Sequence, residues 1–508
     1  VVDREQHLAA RTLLDRAFNL LDPNDTSNRH RVLLHRARAS ASLRNLDEAR
    51  ADVADVLSEV ADDAYATRGT ALATLGQIEQ FEGNFEASSR CLQEAVDLSH
   101  AGGDTAGAAD ALRLWGMTKL MSGDPDGAEE PISASLLTFR EIGHRQGEAW
   151  ALQNLAWIAF VRGEMTEAEE RLQESATAFR GVGDRGGLGW AIGLLGYVRY
   201  FQGRFEEAGE LAESTLVETR ESGDRWGLGM MYMLLANVRM FGGRVHEAAQ
   251  HAQAALELFE AINDTERIGQ LHGTLARALV MSGRVDEGLD IMKQHEPFNA
   301  NFAGLIPAST AVQLGDPALA MEALHNDVGI DPFVGEAIGH GERGVVHGLA
   351  LLQTGKAADA INVLEQTDRD AHSKGEQAFA RAALALAYAA AGQPEQAIAT
   401  VDSMPALAVG TYIDRMTGAL ARGFALVQLG RADEAEAALA DATALVDPTD
   451  DVLDQAVARL GRAIGLEALG RPDAAEMLDD AHARLRAIGT EAKGWETAFR
   501  LAGAPFAL

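Results

Sequence analysis

The 508-residue chain contains a single cysteine, Cys91. A lone thiol cannot close an internal disulfide, and such scarcity fits a reducing cytosol. Basic side chains are also few, 44 Lys and Arg against 76 Asp and Glu, for a net charge of −32. A surface of that sign repels phosphate backbones and anionic lipid, which argues against direct nucleic acid binding. No uninterrupted apolar run is long enough to span a bilayer, and no basic segment is followed by a signal-type apolar stretch. Alternating β-branched patterns are nearly absent, so no sheet is expected. No zinc-type ligand spacing, no H-E-x-x-H, no nucleophile elbow and no triad stands out, which leaves no metal, cofactor or catalytic expectation. The chain begins at Val1 rather than methionine, inside a stretch that already reads as helix. It is expected to be a piece of a longer polypeptide or a processed chain.

What is present is a repeat. A turn residue recurs at Arg44, Gly83, Gly123, Gly163, Gly203, Gly243, Gly283, Gly315, Gly355, Gly392, Gly430 and Gly470. The five intervals from Gly83 to Gly283 are each 40 residues. A small residue stands seven positions before each turn (Gly76, Gly116, Ala156, Gly196, Ala236 and so on). Another stands five after it (Ser88, Ala128, Ala168, Ala208, Ala248 and so on). A fixed period in the 20–50 residue range signals a solenoid. At this length, roughly three ordinary domains would otherwise be expected. A repeat array escapes that estimate, because each unit buries its apolar face only against its neighbours.

Between turns, apolar residues recur at three- and four-residue spacing, as in Leu152, Leu155, Ala156, Ala159 and Phe160, and the dominant Ala and Leu are strong helix formers. Each marked Gly can take the left-handed conformation that ends a helix. Pro125, Pro317, Pro394 and Pro472 follow two residues later, where a first helical turn tolerates the missing N–H. Asp124 and Asp316 are plausible N-caps. A second turn recurs at Gly103-Asp104, Gly143-His144, Gly183-Asp184, Gly223-Asp224 and Asn263-Asp264. There the Gly or Asn ends one helix and the Asp caps the next. Each unit is therefore a helix A, a tight turn, a helix B and a second turn, with small residues where the two helices cross closely.

This arrangement resembles the tetratricopeptide repeat. The unit Ala151-Leu152-Gln153-Asn154-Leu155-Ala156, with Gly163, Met165 and Ala168, is similar to the family's N-L-G … G-x-Y-x-x-A core. Ala156 replaces the first Gly and Met165 the Tyr. The usual period is 34 residues, so these units are longer, similar to arrays in kinesin light chain and the bacterial maltose-operon activator. The phrases GDRGGL (183–188) and GDRWGL (223–228) resemble C-terminal arms of actinobacterial signalling ATPases of the cyclase–ATPase and transcription-factor–ATPase types. The opening segment 9–17 resembles the passage from their ATPase region into the repeats. The resemblance implies an all-α, right-handed α-solenoid of about twelve helix-turn-helix units. It also implies a cytoplasmic bacterial regulator that takes part in signal transduction through protein–protein interaction and has no catalytic activity.

The interval shrinks between Gly283 and Gly315, and residues 295–344 are irregular, with Pro297, Pro307, Pro317 and Pro332. Two arrays are expected, 1–294 and 345–508, joined by a degenerate unit at 295–344 that bends or hinges the solenoid. One continuous superhelix with a damaged repeat is the other reading. Glu491 to Ala502 is expected to be a last helix closing the stack, since terminal units of solenoids are usually atypical.

In the resembled family, helix A lines the inner surface. Carried over by register, the inward positions give a groove formed by Arg113, Met117, Trp150, Gln153, Trp157, Trp190, Tyr197, Met230, Met233, Asn237 and Arg277. Stacked units would set Trp150 beside Trp190 and Met230, and Trp157 beside Tyr197. Exposed Trp, Tyr and Met on a concave wall suit adaptable recognition of a protein, peptide or small-molecule effector. The spacing equally allows the tryptophans and Tyr197 to be core. Phe160, Tyr200, Phe201, Met240 and Phe241 are expected in the core. A carboxylate clamp is not expected, because Asn154 has no Asn at the same place in the next two units.

Several motifs mimic chemistry. Gly339-His340-Gly341-Glu342-Arg343-Gly344 matches G-x-G-x-x-G, but that fingerprint needs a preceding strand, so a flexible linker is expected. Gly355-Lys356 lacks the Ser or Thr of a phosphate loop. His246, His340 and His347 make no metal set. Glu206, Glu207 and Glu247 stand in first turns of B helices, where the dipole favours them. The functional expectation is a ligand-sensing or protein-interaction arm of a larger signalling ATPase, with the ATPase region N-terminal in the same polypeptide. The alternative is a free-standing scaffold that assembles partner proteins.

Overall fold

The computed structural model describes residues 4–43, 45–222, 225–262, 264–294, 305–326, 336–405 and 409–504. Among these residues there are 26 helices and no strand, arranged as the helix-turn-helix units of an all-α, tetratricopeptide-type solenoid. The expected turn residues Arg44, Gly223, Asp224 and Asn263 lie outside the described residues, as do 295–304 and 327–335 of the irregular segment. The chain forms two compact units: unit 1, residues 1–195 and 214–228, and unit 2, residues 196–213 and 229–508.

All eleven glycines of the A–B turn, from Gly83 to Gly470, have positive φ between 69° and 87°. Only glycine adopts that region without a Cβ penalty. The left-handed residue satisfies the last carbonyls of the helix before it. Gly83 N–H bonds Gln80 O at 3.1 Å, and Asn84 N–H bonds Glu79 O at 2.9 Å, the paired bonds of a Schellman ending. The same pair recurs at Gly123 and Asp124, with Leu120 O and Lys119 O.

The small residues around the turns are buried, with Ala475 the exception described below. Ala128, Ala156, Ala168, Ala208, Ala236 and Ala248 are all 0% exposed. At four of the five units where Gly takes the position before the turn, a large side chain from helix B fills the space; at Gly196 it is Leu234 of the next A helix, 2.9 Å from the would-be methyl. A methyl group on Gly76 would lie 2.6 Å from Leu92, and one on Gly116 would lie 2.4 Å from Ile132. Gly348 and Gly423 meet Leu364 and Leu439 at 2.5 and 2.6 Å in the same way. The small residue is thus the hole into which the B-helix knob fits.

The second turns are capped as their sequence implies. Asp104, Asp184 and Asp264 accept from the N–H groups of Gly107, Gly187 and Arg267, and Asp124 and Asp316 do the same at A–B turns. Pro125, Pro317 and Pro394 open their helices. Pro472 does not, because its helix starts at Ala474. The register slips there by one residue, so Ala475 is exposed and Ala474 is buried in its place. The G-x-G-x-x-G segment is also not a linker: it lies in the helix Glu336–Gln353.

Within unit 2, turns far apart in sequence dock on one another. Gly410 N–H donates to Gly203 O at 3.3 Å and Asp450 N–H to Gly243 O at 2.9 Å. Gly494 N–H donates to Gly315 O at 2.9 Å. The Asp450 carboxylate also accepts from the backbone of Val245 and faces His246 Nδ1 at 2.6 Å. Nearby, a methyl on Gly283 would meet Val452 at 2.8 Å. A–B turns of the earlier repeats thus rest on inter-repeat turns of the later ones, and unit 2 closes on itself. The last helix, Lys493–Ala502, does not sit on the end of the stack. It packs against four A helices, Glu336–Gln353, Lys374–Ala390, Tyr412–Gln428 and Val452–Ala468. Trp495 donates its indole N–H to Gln313 O at 2.9 Å, and Phe499 stacks on Phe424 with centroids 5.6 Å apart.

This docking predicts unequal costs at equivalent glycines. Gly430 (φ 70°) has nothing within 4 Å of a would-be Cβ, whereas at Gly203 (φ 75°) the Cβ would lie 2.8 Å from Gly375 Cα. Gly430→Ala should cost about 1–2 kcal/mol through the left-handed backbone. Gly203→Ala should cost roughly 1–3 kcal/mol more through overpacking. Urea unfolding followed by circular dichroism measures both, and equal losses would contradict the docked turn.

Candidate functional site

The eleven inward residues read from sequence are divided between the two units. In unit 1, Arg113 is committed to its neighbours: Nη2 bonds Asp110 Oδ1 at 2.7 Å and Nη1 bonds Asn154 Oδ1 at 3.2 Å. Asp110 also receives Arg38 at 2.9 Å. Burial works against the Asp110 charge, but the two arginines outweigh it and hold the carboxyl at about 2. Met117 and Gln153 are buried at 8% and 2% exposure. Trp150 is half-buried with its ring against Phe179, centroids 5.0 Å apart at 76°, and Trp157 is half-buried. Trp190 stacks on Trp226 at 4.8 Å and 11°, and its buried indole N–H has no hydrogen-bond partner. Trp226 belongs to the GDRWGL turn phrase and was not among the expected wall residues.

In unit 2, Tyr197, Met230 and Met233 are in the packed interior, at 8%, 3% and 7% exposure. The Tyr197 hydroxyl donates to Met230 O at 3.0 Å, and the Asn237 amide donates to Met233 O at 3.1 Å. Of the expected set, Arg277 lines the unit 2 cavity described next.

That cavity, about 170 Å³ and half-enclosed, lies within unit 2. One wall is aromatic, and three of its rings, Tyr200, Phe201 and Phe241, were expected in the core. Tyr200 meets Phe201 and Phe205 edge-on at 5.1 and 5.4 Å, and Phe241 packs on Phe205 at 5.7 Å. They leave the core because unit 2 closes opposite them, where Phe379 and Trp495 face the same space. Phe160 and Met240, by contrast, are buried as expected.

The rest of the wall is polar. Arg277 donates from Nε to Gln313 Oε1 at 3.0 Å, lies 3.7 Å from Glu342 Oε1, and sits over the Phe241 ring at 5.3 Å. Four lining residues are acidic, Glu342, Glu376, Asp414 and Asp454, and Arg277 is the basic one among the described lining residues. Burial raises the Glu342 carboxyl against the opposing pull of Arg277. Burial lifts Glu376 to about 7, although the N–H groups of His372 and Ser373 favour its charge. It lifts Asp414 to about 6, against the N–H and hydroxyl of Thr411 and the charge of Arg415. Asp454 is pushed well up by burial and then by the charge of neighbouring Asp451, while Arg277 and the Gln313 amide pull the other way. Asp454 Oδ2 and Gln313 Nε2 are buried, and the contact between the two side chains is too loose to be a full hydrogen bond for either.

Three of these acids share one register position. Glu376, Asp414 and Asp454 each stand sixteen residues before their turn glycine, Gly392, Gly430 and Gly470. The same place in four earlier units is Gly107, Gly147, Gly187 and Gly227. This column was visible in the sequence, but the inward positions carried over from the family stop three residues short of it. Locally the acids serve helix starts. Thr411 and Asp414 form a reciprocal capping box, Ser373 caps at Glu376 N–H, and Asp451 caps at Asp454 N–H.

Among the described residues, no group of three or more His, Cys, Asp or Glu is placed to hold a metal ion. No helix there is long and apolar enough to cross a membrane. His246 pairs with Asp450, and the His340 side chain lies outside the described residues.

No protein-family model and no curated protein matches this chain. Several solved structures are similar in fold. A Rap protein complexed with competence and sporulation factor is 12% identical, covering 73% of this chain and 99% of its own, with a TM-score of 0.47. Aspartyl phosphate phosphatase F from Bacillus subtilis is 12% identical over 62% of this chain and 84% of its own, at 0.41. A signal-transduction ATPase with numerous domains and a tetratricopeptide repeat sensor, from Pyrococcus horikoshii, is 14% identical over 64% of this chain and 52% of its own, at 0.43. These are likenesses of helical repeat architecture alone.

The raised carboxyls predict a pH dependence. A carboxyl whose folded value lies above its unfolded value of about 4 opposes folding when ionised, and that opposition is relieved as pH falls. With Glu376 near 7 and Asp414 near 6, the unfolding midpoint of unit 2 should rise between about pH 8 and pH 5. Carboxyls held low, such as Asp110, begin to lose stability only below that window. Asp414→Asn should flatten the rise. A midpoint that falls over this range, or a variant that tracks the wild type, would count against the assignment.

Proposed function

We propose that this chain is a non-catalytic tetratricopeptide superhelix that senses a ligand or partner, and that the unit 2 cavity is its ligand recess. The observation that carries this reading is the cavity wall: aromatic rings on one side, and on the other ionisable groups held above their ordinary values where unit 2 closes. Small-molecule sites are concave and largely apolar, with a few convergent polar groups and perturbed titrations. Turn-to-turn docking supplies a means of response. A ligand that favours the closed arrangement stabilises it by its differential affinity for that arrangement.

In the finer reading, the chain is the sensor arm of a larger cytoplasmic bacterial signalling ATPase that lies N-terminal in the same polypeptide. The GDRGGL and GDRWGL phrases and the opening segment support it. Residues 295–344 then form the place where the array changes register and bends. The alternative, a free-standing scaffold, draws on the half-buried Trp150, Trp157 and Trp190 of unit 1 as a surface for protein or peptide.

A thermal-shift screen of the chain against small molecules tests the reading. A stabilising ligand should lose its effect in Phe241→Ala and keep it in Trp150→Ala. The reverse pattern would move recognition to the unit 1 wall and favour the scaffold. ATP hydrolysis by the isolated chain would overturn the non-catalytic reading. The coding sequence ahead of Val1 decides between an ATPase arm and a short leader.

A further inference from the structure

We infer that the unit 2 cavity takes a small organic cation, a protonated amine or other nitrogen cation carried on an apolar body about the size of one ring. This rests on the reading of the cavity as a ligand recess and specifies its chemistry.

The charge balance of the wall points to a cation. Glu342, Glu376, Asp414 and Asp454 face the cavity, with Arg277 as the basic lining residue among those described. The Arg277 charge is already directed at Glu342, 3.7 Å away, and its Nε at Gln313. The three other acids stand at helix starts, whose dipoles each contribute about +0.5 charge. Arg277 also acts on Asp454, and no other described lining residue is basic, so burial holds these carboxyls toward their neutral form and an added cation would let them ionise.

Capping accounts for only part of these acids. Glu376 uses Oε2 to accept His372 N–H at 2.7 Å, and Asp414 uses Oδ2 to accept Thr411 N–H at 2.7 Å. Asp454 departs from the pattern, because Asp451 N–H goes to the Thr449 hydroxyl instead. Asp454, 2% exposed, lines the cavity with no close hydrogen bond to Oδ2; the Gln313 amide that acts on it makes none either. A ligand N–H⁺ group in the cavity supplies Oδ2 with a closer, charged donor, and charge-assisted hydrogen bonds are the strong ones.

The opposite wall suits the body of such a ligand. Tyr200, Phe201, Phe205 and Phe241 present ring faces and edges, and aromatic faces attract a desolvated cation. The volume of about 170 Å³ is close to that of an engineered cavity of about 150 Å³ that admits benzene.

Calorimetric titration of the full chain with four probes tests this. They are 2-phenylethylammonium, the neutral isostere 2-phenylethanol, the anion 3-phenylpropionate, and a capped Phe-Lys dipeptide that carries the same cation on a peptide. The ammonium should bind at least about tenfold more tightly than the alcohol, the margin of one charged hydrogen bond. Glu376→Gln and Asp454→Asn should each remove most of that margin with helicity unchanged, whereas Glu434→Gln, whose partner is Arg431 on an exposed helix start, should leave it intact. Tighter binding of the amine than of the dipeptide assigns a free small molecule; the reverse assigns a side chain on a peptide, and either order supports cation recognition. Preference for the propionate, or equal binding of amine and alcohol, would overturn this inference and leave the ligand recess standing. Amine binding that survives both cavity variants would place it on the acidic surface and overturn the inference. If no probe binds at about 10 mM, both the inference and the recess reading fail.

Discussion

The left-handed glycine that closes eleven of the A helices is the constraint on which the rest of this structure depends. It turns the chain within two residues, returns the last helical carbonyls to hydrogen bonds, and sets helix B close enough for Leu92 or Ile132 to enter the gap left by Gly76 or Gly116. A side chain at this position meets backbone strain first. In unit 2 it meets a second obstacle, because Gly203, Gly243, Gly283 and Gly315 also carry the contacts with later turns. One stereochemical feature thus ends the eleven A helices from Gly83 to Gly470 and, in unit 2, holds distant repeats together.

Closure changes what the inward-facing side chains do. In an open array, Tyr200, Phe201 and Phe241 would be satisfied by packing between neighbouring helices. In unit 2 they face Phe379 and Trp495 across a cavity, and the closing helices bring a column of carboxyls with them. The acids that start those helices pass from solvated caps to buried groups with raised protonation, because desolvation outweighs the capping bonds that favour their charge. The last helix adds to this enclosure by lying across four A helices and bringing Trp495 to the cavity.

Much of the fold was legible in the sequence because its determinants are local. Turn glycines, capping aspartates and small crossing residues act within a dozen positions, and the described copies behave alike. The exceptions are also local: the one-residue slip between Pro472 and Ala474, and a G-x-G-x-x-G segment that forms helix because nothing in it breaks the A-helix pattern of its repeat. The site was far less legible. Of the inward residues carried over by register, Arg277 lines the cavity, while Tyr197, Met230 and Met233 are buried beside their own neighbours. Glu376, Asp414 and Asp454 stand in plain register, yet as capping residues they gave no sign of facing rings nearly two hundred residues earlier.

By itself, the sequence determined the helix pair, its period, its caps and the closeness of its crossings, since each follows from backbone stereochemistry and neighbour packing. Only the tertiary structure decided which repeats touch across the closure and which aromatic rings therefore line a cavity rather than a core. It also decided which carboxyls lose their water. The physical reason is that small rotations between successive repeats accumulate over many units, so contacts between Gly203 and Gly410, or Gly243 and Asp450, depend on the sum of all the crossings between them and on no single local signal.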